Sequence, residues 1–288
     1  VSTSVFLGLV TYEGSRFADS SGPDGLVPTV ARCLDEHGLR TTVRVNARDA
    51  YSPSLLQLTR AEVVHSIDAE LDVEGRWRAY VSPPRSPLAM RAFMAARRAR
   101  RRIAYAPPWR GDLGVDDPGP RMLRRLVNIE LSHIDLMQAA VESGSEWALI
   151  VEDDAYAADA SAFARALAEF VQAREGEHQP RYMNVSRSFA EDRLGIAQHL
   201  TEIGVWGSGP VKTMSSSRPV TNTVCAILYR TGFLNDLLDM FDSIPLSPVL
   251  PIDWKLNAAI LAMVGQSRLG SGDCWFLSPA PVEQRSMA

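Results

Sequence analysis

Three consecutive carboxylates, Glu152, Asp153 and Asp154, close the apolar run Trp147-Ala-Leu-Ile-Val151. Burying an unpaired carboxylate costs on the order of several kcal/mol, so the acids must stand at the exposed end of that run. A short apolar run containing β-branched residues reads as a buried strand. Open α/β sheets bind ligands at the carboxyl ends of their strands. On an extended backbone Glu152 and Asp154 point one way and Asp153 the other. Two hard oxygen donors aimed at one point suit Mn²⁺ or Mg²⁺, which typically takes one or two carboxylates plus substrate phosphates. The plainer alternative is a capped helix start whose acids are stabilised by water and the helix dipole.

The elements around this run must position it. Val5 to Val10 reads as a strand, Leu26 to His37 as a helix closed by Gly38, and Thr41 to Val45 as a second strand. This β-α-β opening predicts a parallel sheet with a right-handed crossover. The ends of its strands, Thr11–Arg16 and Asn46–Asp49, lie where the switch-point rule seats a nucleotide base. Thr11, Tyr12, Arg16 and Asn46 are therefore candidate nucleotide contacts. Arg16, or an arginine from Arg121 to Arg125, could meet a diphosphate bidentately. Neither GxGxxG nor GxxxxGK[ST] occurs. The clearest helix spans Arg121 to Gly144 on Leu123, Leu126, Val127, Leu131, Ile134, Met137 and Val141, and it feeds directly into Trp147. Ser132 and His133 sit off its main apolar seam, and a lone helical histidine is usually structural.

Beyond Asp154 a helix is expected over Asp159 to Ala173, a strand over Tyr182 to Val185, a strand over Thr223 to Tyr229 and a helix over Thr231 to Phe241. Ser186 to Asn222 has little periodicity and is assigned to an acceptor site, where Trp206 and Trp254 either stack on sugars or pack in the core. A last helix starts at Ile252, with Asp253 either its cap or a carboxylate facing the cleft. The tail from Gly272 reads as a strand followed by a Pro-stiffened segment. Between Leu88 and Arg110 stand Arg91, Arg97, Arg98, Arg100, Arg101, Arg102 and Arg110. They read either as a platform for a lipid-linked diphosphate or membrane headgroups, or as a solvated helix face offset by acids elsewhere.

The totals narrow the class. With 288 residues the chain can bury one large core or two small ones, and 46% apolar with 22% charged residues is ordinary globular composition. A net charge of −4 argues against a dedicated nucleic-acid binder. No apolar run approaches the ~20 residues that span a bilayer. The start lacks a basic region and cleavage site, and a leading Val is what a literally translated GTG codon of a complete bacterial protein would give. Cys33, Cys225 and Cys274 are odd in number and far apart, so disulfides and structural zinc are not expected; a reducing cytoplasm fits.

Four motifs taken in order carry a resemblance. Leu131-Ser-His-Ile-Asp-Leu-Met137, Trp147-Ala-Leu-Ile-Val-Glu-Asp-Asp154, the strand-helix segment Thr223 to Leu238 and Pro251-Ile-Asp-Trp254 together resemble bacterial glycosyltransferases of the lipopolysaccharide and collagen-galactosyltransferase type, family 25. The resemblance implies a GT-A-type, Rossmann-like, mostly parallel sheet flanked by helices. It implies one domain with a nucleotide-sugar half, about 1–155, and an acceptor half, about 156–288. It places Glu152 and Asp154 on a divalent metal, His133 and Ser132 behind the donor, and Asp253 in the cleft for acceptor binding or proton abstraction. The tail offers Glu283, Gln284 or Ser286 where that family has a further histidine ligand. On this reading Arg125 meets the donor, Asp153 orients sugar hydroxyls, and the partners are a nucleotide-diphosphate sugar and a saccharide or lipid-linked acceptor. A sugar-phosphate nucleotidyltransferase would share the strand-end acids but typically has a Gly-rich loop after its first strand. A non-catalytic nucleotide- or sugar-binding protein would use the same acids as caps.

Overall fold

Alternation along the first strand sets the architecture. In β1 (Ser4–Thr11) Val5, Leu7 and Leu9 enter one apolar core while Phe6 and Val10 enter a second, as a pleated strand requires. β3 (Trp147–Glu152) repeats the division, with Trp147, Leu149 and Val151 on the first face and Ala148 and Ile150 on the other. A sheet buried on both faces needs helices on both. α1 (Leu26–Glu36) and α5 (Ala160–Gln172) cover the first; α4 (Pro118–Glu142), α7 (Thr231–Ser243) and α8 (Ile252–Gly265) cover the second. Gly144 follows α4 at φ +66°, the left-handed position that ends a helix without strain. The computed structural model describes residues 3–12, 15, 17, 25–48, 59–172, 179–243 and 250–285.

The remaining strands of the main sheet are β2 (Arg40–Ala47), β5 (Tyr182–Asn184), β7 (Leu200–Val205), β8 (Lys212–Ser216), β9 (Ala226–Arg230) and β10 (Cys274–Ser278). Its eight strands run in the order β2-β1-β3-β9-β5-β10-β8-β7. The β-α-β opening is parallel, as expected. The sheet as a whole is mixed rather than mostly parallel: among the described residues four of its seven pairings are antiparallel. Apolar runs report burial and not direction, and β9 reads the same whichever way it points. The segment without periodicity, Ser186 to Asn222, holds the short helix α6 (Glu191–Leu194) and the hairpin β7–β8, whose half-exposed residues give no clear alternation.

Three strands continue past the carboxyl edge of the main sheet. β3, β5 and β10 lead into β4 (Ala155–Ala157), β6 (Ser186–Arg187) and β11 (Val282–Gln284), which pair as a second sheet in the order β4-β11-β6. On the helical side α2 (Arg60–Val81) is opened by a capping box, with Thr59 Oγ1 accepting from the Glu62 N–H and the Glu62 carboxylate accepting from the Thr59 N–H. Its periodicity is broken because the buried positions Glu70 and Glu74 are acids. They pair with arginines of α3 (Pro87–Tyr105): Arg97 with Glu74, Arg101 with Glu70, and Arg98 and Arg102 with Asp68. Of the two readings of the arginine-rich stretch, these four arginines follow the second, a helix whose charges are offset by acids elsewhere, and they hold the two helices together. Among the described residues no helix is long and apolar enough to cross a membrane.

Candidate functional site

Because β1, β2 and β3 are parallel, Thr11, Ala47 and Glu152 finish at one edge. β9 runs the opposite way, so Cys225, the residue before it, reaches the same edge. The Glu152 N–H donates to the Cys225 carbonyl at 2.8 Å and the Asp153 N–H to the Val10 carbonyl at 2.9 Å. After Glu152 the chain turns through Asp153 and Asp154. Asp153 nevertheless lines the same cleft as its neighbours, although its carboxylate is not in the group that Glu152 and Asp154 form. All three carboxylates line one cleft of about 180 Å³, together with Thr11, Tyr12, Arg48, Arg125, Asn128, Ser132 and Gln284.

Neutral groups orient these acids. Asp153 accepts from the Thr11 hydroxyl at 2.8 Å. Asp154 accepts from the Gln284 amide at 3.2 Å and, more weakly, from the Cys225 thiol at 3.8 Å. Gln284 is itself held by the Ser188 hydroxyl. Glu152 faces His133 Nε2 at 3.2 Å, and the Nε2–H tautomer makes that ring a donor. His133 is buried behind Glu152, off the cleft wall, and its Nδ1 has no hydrogen-bond partner among the described residues.

One oxygen of Glu152, one of Asp154 and the sulfur of Cys225 lie within 4.8 Å of one another. Two like charges about 5 Å apart repel by roughly 3 kcal/mol at an effective dielectric near 20. Burial first, and then the charges of Glu152 and Asp154, push the Cys225 thiol far above its usual range. In the metal-free protein the thiol therefore stays protonated, and the hard donors of the group are the two carboxylates. Two hard oxygens fit Mn²⁺ or Mg²⁺ better than a thiolate-seeking ion.

Other expected residues fall elsewhere. Asn46 donates to Asp135 at 3.0 Å and lies off the cleft wall, since the carboxylate that holds Arg48 also draws in its amide. Arg48, two residues on, takes its place. Asp253 is not on the wall either. It stands in the first turn of α8 with Pro251 as the cap, and accepts from the Trp254 N–H at 3.0 Å. Burial, with the negative charges of Glu70 and Glu152 adding to it, pushes its carboxyl up to about 7. Trp206 is core, stacked near Phe163 and Phe170, and Trp254 packs edge-on to Trp77 at 5.9 Å. Arg16 and Ser286 lie outside the described residues.

The sequence matches no family model, and no curated protein matches it significantly. The resemblance accordingly stands on its four short motifs, and any function must be argued from the site. Arg48 could have been found from its place after the second strand, and Asn128 from its place one helical turn before Ser132. Cys225 could not, because only the reversed direction of β9 brings it beside Asp154.

Proposed function

We propose that this protein is a metal-dependent glycosyltransferase of GT-A type, moving a hexosyl group from a nucleotide-diphosphate sugar (UDP-hexose or GDP-mannose) to a saccharide or lipid-linked acceptor. One observation carries the reading: carboxylates converge, with no Lys or Arg ion pair among the described residues, at the carboxyl edge of a sheet, in a cleft that arginines also line. Glu152 and Asp154 would hold Mn²⁺ or Mg²⁺. When bound, that cation neutralises charge on a departing diphosphate.

The chain's own groups do the rest. Arg125, exposed at the cleft, is placed to take phosphate oxygens, and Arg48 can join it because its partner Asp135 is itself partly exposed. Thr11 and Tyr12 line the end nearest β1, where the base would lie. Asp153, held by Thr11, is positioned for sugar hydroxyls. His133 keeps Glu152 in its rotamer. For an inverting reaction the resemblance makes Asp253 the candidate base; its carboxyl, raised by burial to about 7, suits proton transfer near neutrality but stands off the wall that Glu152 and Asp154 line. In a retaining reaction it would only position a sugar.

Isothermal titration against a panel of nucleotide sugars, with Mn²⁺ and with EDTA, tests the proposal. One diphosphate sugar should bind best and lose affinity in EDTA. Preference for a triphosphate would instead indicate a nucleotidyltransferase, and indifference to metal a binding module.

A further inference from the structure

We propose that the outward face of α3 is a docking surface for an anionic lipid bilayer, a property independent of the glycosyltransferase reading. A surface helix ordinarily turns its apolar stripe inward and its charges to water. α3 departs from this: Met90, Met94 and Tyr105 pack inward, but a second apolar stripe faces out. Met94 is its one buried residue, and Arg97, Arg98, Arg101 and Arg102 reach inward to the acids of α2. Leu88, Ala92, Ala96, Ala99 and Ile103 recur at helical spacing on the other side, and all are exposed. Leu88 is 75% exposed, Ile103 51% and Phe93, beside the stripe, 49%.

Charge selects the occupant. α3 carries six arginines and no acid. Arg91 and Arg100 flank the stripe, are exposed, and have no acidic partner among the described residues. Arg85 stands exposed just before the helix and Trp109, 74% exposed, just after it. An apolar strip edged by arginines whose stems can lie along acyl chains while their heads meet phosphates matches a negatively charged membrane interface, where tryptophan also partitions. A second copy packed α3 against α3 would set arginine against arginine, with no acid on either helix to relieve it.

Co-flotation with vesicles tests this, using phosphatidylcholine alone and phosphatidylcholine doped with phosphatidylglycerol. The full chain should float with the doped vesicles and remain behind with the neutral ones. Arg91→Glu with Arg100→Glu should lower the partition by on the order of tenfold or more, and Leu88→Asp with Ile103→Asp should abolish flotation. These side chains are exposed, so circular dichroism should show the variants folded; Leu88→Ser with Ile103→Ser replaces the aspartates if it does not. Failure of the wild-type chain to float, or undiminished flotation of the Leu88/Ile103 variants, overturns the proposal. So does a concentration-dependent dimer in sedimentation velocity that Ile103→Asp dissolves, in a chain that does not float.

Discussion

The cleft and the α2–α3 pair use the same residue types to opposite ends. In the helical pair, acids at buried positions each meet an arginine: Glu74 takes Arg78 at 2.8 Å and Arg97 at 2.9 Å on one oxygen. In the cleft, like charges converge and are steadied by a hydroxyl, an amide and an imidazole. Paired charge ends in a closed structural contact. Convergent charge of one sign leaves repulsion that an added cation would remove. Geometry, not the presence of acids, separates a structural patch from a candidate site.

The sharpest way to break this contrast is Asp154→Asn. It should lower Mn²⁺ affinity about a hundredfold or more in titration calorimetry and remove transfer, by analogy with losing one charge-stabilising group at a reacting centre. The metal-free melting temperature should stay level or rise, because a repelling charge is gone. Wild-type Mn²⁺ binding by the variant would make the cleft as inert as the helical pair. The next effect is on the helices. Arg78→Ala with Arg97→Ala strands the buried Glu74 and should cost about 3 kcal/mol in urea unfolding, whereas Glu74→Gln, which leaves only half-exposed arginines, should cost about half that.

A smaller effect concerns pH. Folded Asp253 holds its proton to about 7, while an unfolded aspartate releases it near ~4. Between those values the folded state binds more protons, so this residue's contribution to stability falls as pH rises through the window. In metal-free protein Asp253→Asn should therefore raise the melting temperature at pH ~8 by about 3 °C and leave it unchanged at pH ~4. An equal shift at both pH values would show that the carboxyl does not titrate this way. Smallest of all, Cys225→Ser should change Mn²⁺ affinity by less than about threefold if hard oxygens hold the ion; a larger loss would make the sulfur a ligand.

Much of the frame was legible. The first strand and its helix, the helix leading to Trp147 and the strand ending in acids all show in their apolar spacing, because each buries one face or both; the edge strand β2 is largely exposed and shows only in its β-branched residues. α2 was not legible, because Glu70 and Glu74 interrupt its buried face and are tolerated through Arg101 and Arg97, 31 and 23 residues further along the chain, with Arg78 of α2 itself also on Glu74. The same cause hid the character of the arginine-rich stretch: its composition could not tell which way each side chain turned. Thr11, Tyr12, Arg125 and the acids could be placed in the site from strand ends and helix faces alone. Gln284, which bonds to Asp154, is among the tail residues that the resemblance offers; Cys225 arrives there by tertiary topology, which single-sequence spacing does not encode.

The second sheet has a mechanical consequence. Only two residues separate β3 from β4, one separates β5 from β6, and three separate β10 from β11. Links that short leave no room for a hinge, so the wall carrying Asp153, Asp154 and Gln284 must travel as a rigid extension of the central strands. Any widening of the cleft to admit a bulky molecule has to come from the opposite bank, where α4 presents Arg125, Asn128 and Ser132.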